Sequence, residues 1–148
     1  MVKPEKMTDR SRRVLAMAGE EANARGADAV EPQHLLLGLL RDQGLAQCAL
    51  GNAAGLDYEK YSATLPHPND QGGPQRELPF SEQSQSALDA AIEELSPLGH
   101  NYVGTEHLLL GLARESGGAE SLDLASLGTS FSEIRAEVYG ILGHDVPQ

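Results

Sequence analysis

His34 and His107 are the side chains of this 148-residue sequence most suggestive of metal or proton chemistry. An imidazole titrates near neutrality, and it ligates transition metals when a second and third ligand stand close by. Both open an apolar run, in Gln33-His34-Leu35-Leu36-Leu37-Gly38-Leu39 and Glu106-His107-Leu108-Leu109-Leu110-Gly111-Leu112. Neither has a His or Cys three or four residues away on the same helix face. The expectation is that each ring satisfies local backbone groups or packs between the copies, with no metal and no cofactor. The pairs Glu20-Glu21 and Glu93-Glu94 are sequence neighbours on helices, so their side chains diverge by about 100° and read as solvated faces, not as a catalytic dyad. Cys48 is the only cysteine, which excludes an intramolecular disulfide. Within Leu45-Ala46-Gln47-Cys48-Ala49-Leu50 it is expected to be a buried thiol. No Gly-x-x-x-x-Gly-Lys-Ser/Thr loop and no Gly-x-Ser-x-Gly elbow occurs. These residues predict a binding module, not an enzyme.

The elements that hold these residues come in two copies. The histidine runs are offset by 73, and the same offset pairs Thr8 with Ser81, Leu15 with Leu88, Ala18 with Ala91 and Gly26 with Gly99. It also pairs Val30 with Val103, Arg41 with Arg114, Gly55 with Gly128 and Tyr58 with Phe131. Between the copies, residues 66–79 hold four of the eight prolines and read as a linker. The organisation is an N-terminal extension over 1–6, repeat 1 over 7–65, the linker, repeat 2 over 80–143 and a tail over 144–148.

In each repeat Thr8 or Ser81 caps a first helix. Leu15, Ala18 and Ala22 line its inner face in the first copy, and Leu88, Ala91, Ile92 and Leu95 in the second. A second helix starts at Glu31 or Gly104, with Pro32 tolerated in its first turn. Its leucines are apolar nearly all round, as a central buried helix requires. Shorter helices follow around 44–53 and 57–65, with counterparts around 118–127 and 131–142 and with Asp57 and Ser130 as caps. The fold class is all-α: about eight helices in two pseudo-twofold four-helix repeats that form one compact domain. Neither repeat is large enough to bury its leucine helix alone.

Twenty-two acidic residues against eleven basic ones give a net charge of −11 and argue against a nucleic-acid partner. The apolar run Leu35–Leu40 is far too short to span a membrane. Met1–Lys6 lacks the apolar stretch of a signal peptide, so the cytoplasm is the expected compartment.

The phrase Gly99-His100-Asn101-Tyr102-Val103-Gly104-Thr105-Glu106-His107-Leu108-Leu109-Leu110-Gly111-Leu112 resembles the second half of the Clp N-terminal domain. That double repeat begins the Clp/Hsp100 unfoldases, and the likeness is strongest to the ClpC branch. Leu78-Pro79-Phe80-Ser81 and Met7-Thr8-Asp9-Arg10-Ser11-Arg12-Arg13-Val14-Leu15 look like the starts of the two repeats. The resemblance covers about residues 7–143. It implies an eight-helix domain that receives protein substrates or adaptors for a Clp protease, or that modulates the ClpC unfoldase itself. The sequence contains no ATPase module, so the resemblance implies a stand-alone Clp-N protein or the N-domain of a longer ATPase.

In the ClpC branch the domain resembles a reader of phosphoarginine. A carboxylate takes the guanidinium, and hydroxyl, N–H and Arg groups at a helix start take the phosphate. Carried over, the second site uses Glu106 with Ser81. The first uses Thr8 and Arg10 with Gln33, where Gln replaces the family's Glu and Glu31 stands two residues earlier. In the second site Gln83 replaces an Arg and Glu82 adds a negative charge, so each site keeps one half of its chemistry. The family also binds cyclic-peptide antibiotics near the repeat starts, where Phe80 is kept and Met7 replaces an aromatic. That implies an alternative role in sequestering such peptides.

Overall fold

The computed structural model describes residues 4–65, 77–115 and 123–143. Repeat 1 comprises α1 (Asp9–Ala24), α2 (Pro32–Asp42), α3 (Leu45–Ala54) and α4 (Tyr58–Ala63). The second copy comprises α5 (Glu82–Glu93), α6 (Leu95–Leu98), α7 (Thr105–Arg114) and α8 (Phe131–Leu142). Four of these starts carry the expected hydroxyl or carboxylate cap. Thr8 accepts from the Ser11 N–H, Asp57 from Lys60, Ser81 from Ser84 and Ser130 from Glu133. Left-handed glycines terminate α3, α6 and α8 at Gly55, Gly99 and Gly143.

Two boundaries differ from expectation. The first helix of repeat 2 breaks after Glu93 and resumes as the single turn α6, because the Leu98 turn closes on Gly99 and Pro97 cannot continue a regular ladder. The helix expected around 118–127 is only a 3-10 turn, Ala125–Leu127, in its described part, and residues 118–122 lie outside the described residues. Gly128 at φ 86° ends that turn.

α2 and α7 form the centre of one continuous core, with Leu35–Leu40 and Leu108–Ala113 buried. α1 packs on α2 and α5 on α7, while α3 of repeat 1 packs on α8 of repeat 2. The close approach within each first pair rests on glycine. A Cβ on Gly38 would lie 2.7 Å from the Val14 carbonyl oxygen, and one on Gly111 would lie 2.2 Å from that of Ala87. Small residues therefore form the inner face of α1 and α5. Ser11, Val14, Ala18 and Ala22 are buried on α1, and Ser84, Ala87, Leu88 and Ala91 on α5. Ala18, Ala22, Leu88 and Ala91 are buried as the expected stripes require, but Leu15 and Leu95 are only half-buried and Ile92 is 37% exposed.

Cys48 is exposed, a further departure. α3 buries Ala46, Ala49 and Leu50, and residue 48 falls on the opposite side of the turn. Its sulfur lies 3.9 Å from the Asn52 amide nitrogen.

Backbone bridges stitch the repeats together at both ends of the pseudo-twofold. Met7 pairs with Val103 and Phe80 with Val30, both in parallel. The buried Ser11 hydroxyl donates to the Val103 carbonyl at 2.7 Å, and Ser84 does the same to Val30 at 2.7 Å. Replacing Ser84 by Ala leaves the Val30 carbonyl, among the described residues, only the Ser81 N–H, at 3.0 Å. The expected cost is about 1 kcal/mol, read as a fall in Tm of roughly 3 °C for a domain of this size. An unchanged melt would show that the hydroxyl bridge does not hold the repeats.

Candidate functional site

The same bridges decide which side chains share a cleft. The Thr8 N–H donates to Val103 at 3.0 Å, and the Val103 N–H returns to Lys6 at 2.8 Å. Symmetrically, the Ser81 N–H donates to Val30 at 3.0 Å and the Val30 N–H to Pro79 at 2.8 Å. The start of α1 thus lies against the start of α7, and the start of α5 against the start of α2. Each first helix meets the second helix of the other repeat. The groupings carried over from the family resemblance, Glu106 with Ser81 and Thr8 with Gln33, pair helix starts that these bridges do not bring together. An offset identifies equivalent residues but does not say which copy they dock on.

This exchange changes the balance between the two clefts. The Thr8–Val103 bridge brings the start of α1, which carries Thr8 and Arg10, to the start of α7, which carries Glu106. Ser81 shares its rim with Glu31 and Gln33; there the residue matching Glu106 is an amide, the residue matching Arg10 is Gln83, and Glu82 is exposed. Lys6, expected in an N-terminal extension, supplies a carbonyl to the first bridge.

On the first rim, Thr8 is exposed and heads the 16-residue α1, whose dipole and free N–H groups favour an anion. The Asp9 carboxylate in that first turn is matched by Arg12. Arg10 reaches back within its own repeat, its Nε donating to the Asp42 carboxylate at 3.2 Å, yet it stays 56% exposed. Glu106, in the first turn of α7, folds over Gly104 with a fifth of its side chain exposed. A Cβ at position 104 would fall 2.6 Å from its Oε1, so glycine there makes room for the carboxylate. Tyr102, one residue before the bridge, is 56% exposed; it lies outside any helical stripe, so its place beside the cleft leaves no signal in the sequence. On the second rim Phe80 is half-buried against the core, whereas Met7 in the matching place is buried.

The two histidines do what their lone position suggests. The Glu31 N–H donates to His34 Nδ1 at 2.9 Å, and the Gly104 N–H to His107 Nδ1 at 2.8 Å. Each ring caps its own helix from the third position. An Nδ1 that accepts leaves the proton of the neutral ring on Nε2. In repeat 2 that Nε2–H points at His100 Nδ1, 2.8 Å away, with the rings edge to face at 4.9 Å. Burial pushes His107 down to about 4, with the neighbouring His100 lowering it further and Glu106 opposing. Burial likewise pushes His34 down to about 4, aided by Arg25 and opposed by Glu21.

His100, Glu106 and His107 bring ligand atoms within 4.8 Å of one another. The helical spacing criterion misses this group, because His100 lies seven residues before His107 in a loop. Both nitrogens of His107 are nevertheless committed, one to Gly104 and one to His100, so a metal would have to displace the helix cap.

In repeat 1, Ala27 stands where repeat 2 has His100, and a cavity of about 190 Å³ opens there. Arg25, Ala27, Glu31, Gln33, His34 and Leu65 line it. Arg25 is held at its tip by Glu21 at 3.3 Å and Ser62 at 2.8 Å, with its side chain 5% exposed. Its Nε–H makes no hydrogen bond among the described residues.

Residues 6–125 match the Clp repeat (R) N-terminal domain. The chain is 36% identical over 140 residues to the negative regulator of genetic competence ClpC/MecB of Bacillus subtilis, covering 93% of this chain and 17% of that one. It is 34% identical over 145 residues to the chaperone protein ClpB of Oceanobacillus iheyensis, covering 97% and 18%. The chain thus spans under a fifth of the length of these relatives. The fold matches the N-terminal domain of the chaperone ClpD from Arabidopsis thaliana with TM-score 0.70 at 25% identity, covering 94% of this chain and 96% of that one. It also matches the Hsp104 N-terminal domain from Candida albicans with TM-score 0.71 at 19% identity, covering 95% and 93%; at that identity the likeness speaks to fold alone. No helix among the described residues is long and apolar enough to cross a membrane.

Proposed function

The chain belongs to the Clp repeat (R) N-terminal domain family, and from that premise we propose that it is a non-catalytic receptor for protein substrates or adaptors of a Clp unfoldase. Its ligand group is a phosphorylated arginine side chain, held on the rim of Thr8, Arg10 and Glu106. The observation that carries this reading is the Met7–Val103 bridge, which sets the capped start of α1 beside the start of α7. The phosphate then meets N–H groups and a hydroxyl at a helix N-terminus, with Arg10 able to turn from Asp42 toward it. The guanidinium meets Glu106, which makes charge-assisted hydrogen bonds that arginine's fork geometry suits. The rim of Ser81, Gln33 and Gln83 has no arginine at the place matching Arg10 and an amide at the place matching Glu106, and its exposed Glu82 repels a phosphate, so it takes no part. The acidic surface of the chain complements basic segments around such an arginine.

Calorimetric titration with phosphoarginine, with arginine and phosphate as controls, tests this. A charged hydrogen bond contributes about 1.5–3 kcal/mol, so Glu106→Gln should weaken phosphoarginine binding roughly ten- to a hundredfold while the melt is unchanged. Gln33→Ala should leave affinity as it is. Absence of binding, or equal affinity in Glu106→Gln, would remove the reading.

A further inference from the structure

The cavity of repeat 1 lies beside Ala27 and His34, the residues that match His100 and His107 of repeat 2. In repeat 2 the His107 Nε2–H is met by His100 Nδ1 at 2.8 Å, with the rings edge to face. His34 has the same cap geometry as His107, its Nδ1 taking the Glu31 N–H at 2.9 Å, so its neutral ring also presents an Nε2–H. Ala27 leaves the space of the second ring open, and His34 lines that space together with Ala27. Arg25, whose side chain is 5% exposed, lines the same wall. Glu31 and Gln33 also line it and can supply acceptors, and Ala27 and Leu65 supply apolar walls. The volume of about 190 Å³ is ample for a five-membered ring and the carbon that carries it.

We propose that this cavity is a receptor for an imidazole ring, the histidine side chain of a bound polypeptide, which docks on His34 as His100 docks on His107. The unprotonated ring nitrogen accepts from His34 Nε2–H, and the ring N–H donates to the Glu31–Gln33 side. Thr8, Arg10 and Glu106 play no part, so the cavity functions whether or not phosphoarginine binds. That the ring belongs to a polypeptide rests on the reading of the chain as a protein receptor; the chemistry of the cavity does not.

The test is a titration at pH 8 with free imidazole, with N-acetyl-histidine methylamide and with acetate, followed through the backbone amide resonances of the whole chain. Imidazole should shift Glu31, Gln33 and His34 and saturate with a Kd on the order of 1 mM, as befits so few heavy atoms. The blocked histidine should give the same shifts. Ala27→His, which supplies the ring in cis, and Ala27→Leu, which fills the space, should both abolish them. His100→Ala should create a second responsive site at Gly104–His107. No shift at Glu31–His34, shifts that persist in both filled variants, or equal shifts with acetate would overturn the imidazole assignment. Binding of imidazole without the blocked histidine would overturn its assignment to a polypeptide side chain.

Discussion

Gly111→Ala should lower the stability of the domain by about 3 kcal/mol or more, at the upper end of what overpacking costs. The added methyl would sit 2.2 Å from the Ala87 carbonyl oxygen and 2.7 Å from the Ala91 nitrogen. Both are backbone atoms of α5, so no side-chain rotation can relieve the clash and the α5–α7 pair must separate. Gly38→Ala meets the Val14 carbonyl at 2.7 Å and should cost less. Gly19 and Gly140 lie in the interiors of α1 and α8, where an added methyl would meet nothing within 4 Å. Alanine at either should instead stabilise by up to about 1 kcal/mol, the helix-propensity difference. For a domain of this size 1 kcal/mol corresponds to roughly 3 °C in Tm, so the Gly111 and Gly19 variants should separate by about 10 °C or more. Thermal melts of the four variants rank them directly, and a harmless Gly111→Ala would mean that α5 and α7 do not approach as described.

Mild acid should destabilise the domain through His34 and His107. Both rings are pushed down to about 4 in the folded chain, mainly by burial, against about 6.5 when unfolded. Between those values the unfolded state binds more protons, so stability rises with pH. The full contribution is present above about pH 6.5 and is lost as pH falls toward 4. From pH 7 to pH 5, before the ordinary carboxylates titrate, the loss should be about 1–2 kcal/mol per histidine. The structural reason is that a protonated Nδ1 cannot accept the Glu31 or Gly104 N–H, so each central helix loses its cap. Glutamine at the third helical position can accept the same N–H without titrating. His34→Gln should therefore remove about half of the loss between pH 7 and pH 5. A pH-independent Tm across this range would show that neither ring is held neutral.

The helices are legible in the sequence because their caps and leucine runs are local signals. Thr8, Asp57, Ser81 and Ser130 all begin helices, and the run from Leu35 to Leu40 is buried throughout. The inner face of α1 and α5 is legible only in part: Ala18, Ala22, Leu88 and Ala91 are buried as expected, but hydrophobicity alone also favours Leu15 and Ile92 over Ser11 and Ser84. The tight packing at Gly38 and Gly111 instead selects serine and alanine. Cys48 misleads for a related reason: its apolar neighbours in sequence lie on two faces of one helix.

The cleft is harder to read than the helices. Its residues, Thr8, Arg10 and Glu106, are all identifiable by type, but their grouping depends on bridges between residues about ninety apart, such as Ser11 to Val103. Repeat periodicity is silent on such an exchange. His100 escapes a search by helical spacing because a loop carries it to His107, and the Ala27 vacancy is visible only once that pair is seen.

The exchange between repeats predicts one competent cleft where independent repeats would give two half-competent ones. Adding phosphoarginine to the isotope-labelled chain and mapping its amide resonances tests this directly. One saturable site should appear, with shifts at Thr8–Ser11 and Thr105–His107 together and none at Ser81–Ser84. Shifts that group Ser81 with Glu106, two equal sites, or no site at all would contradict it.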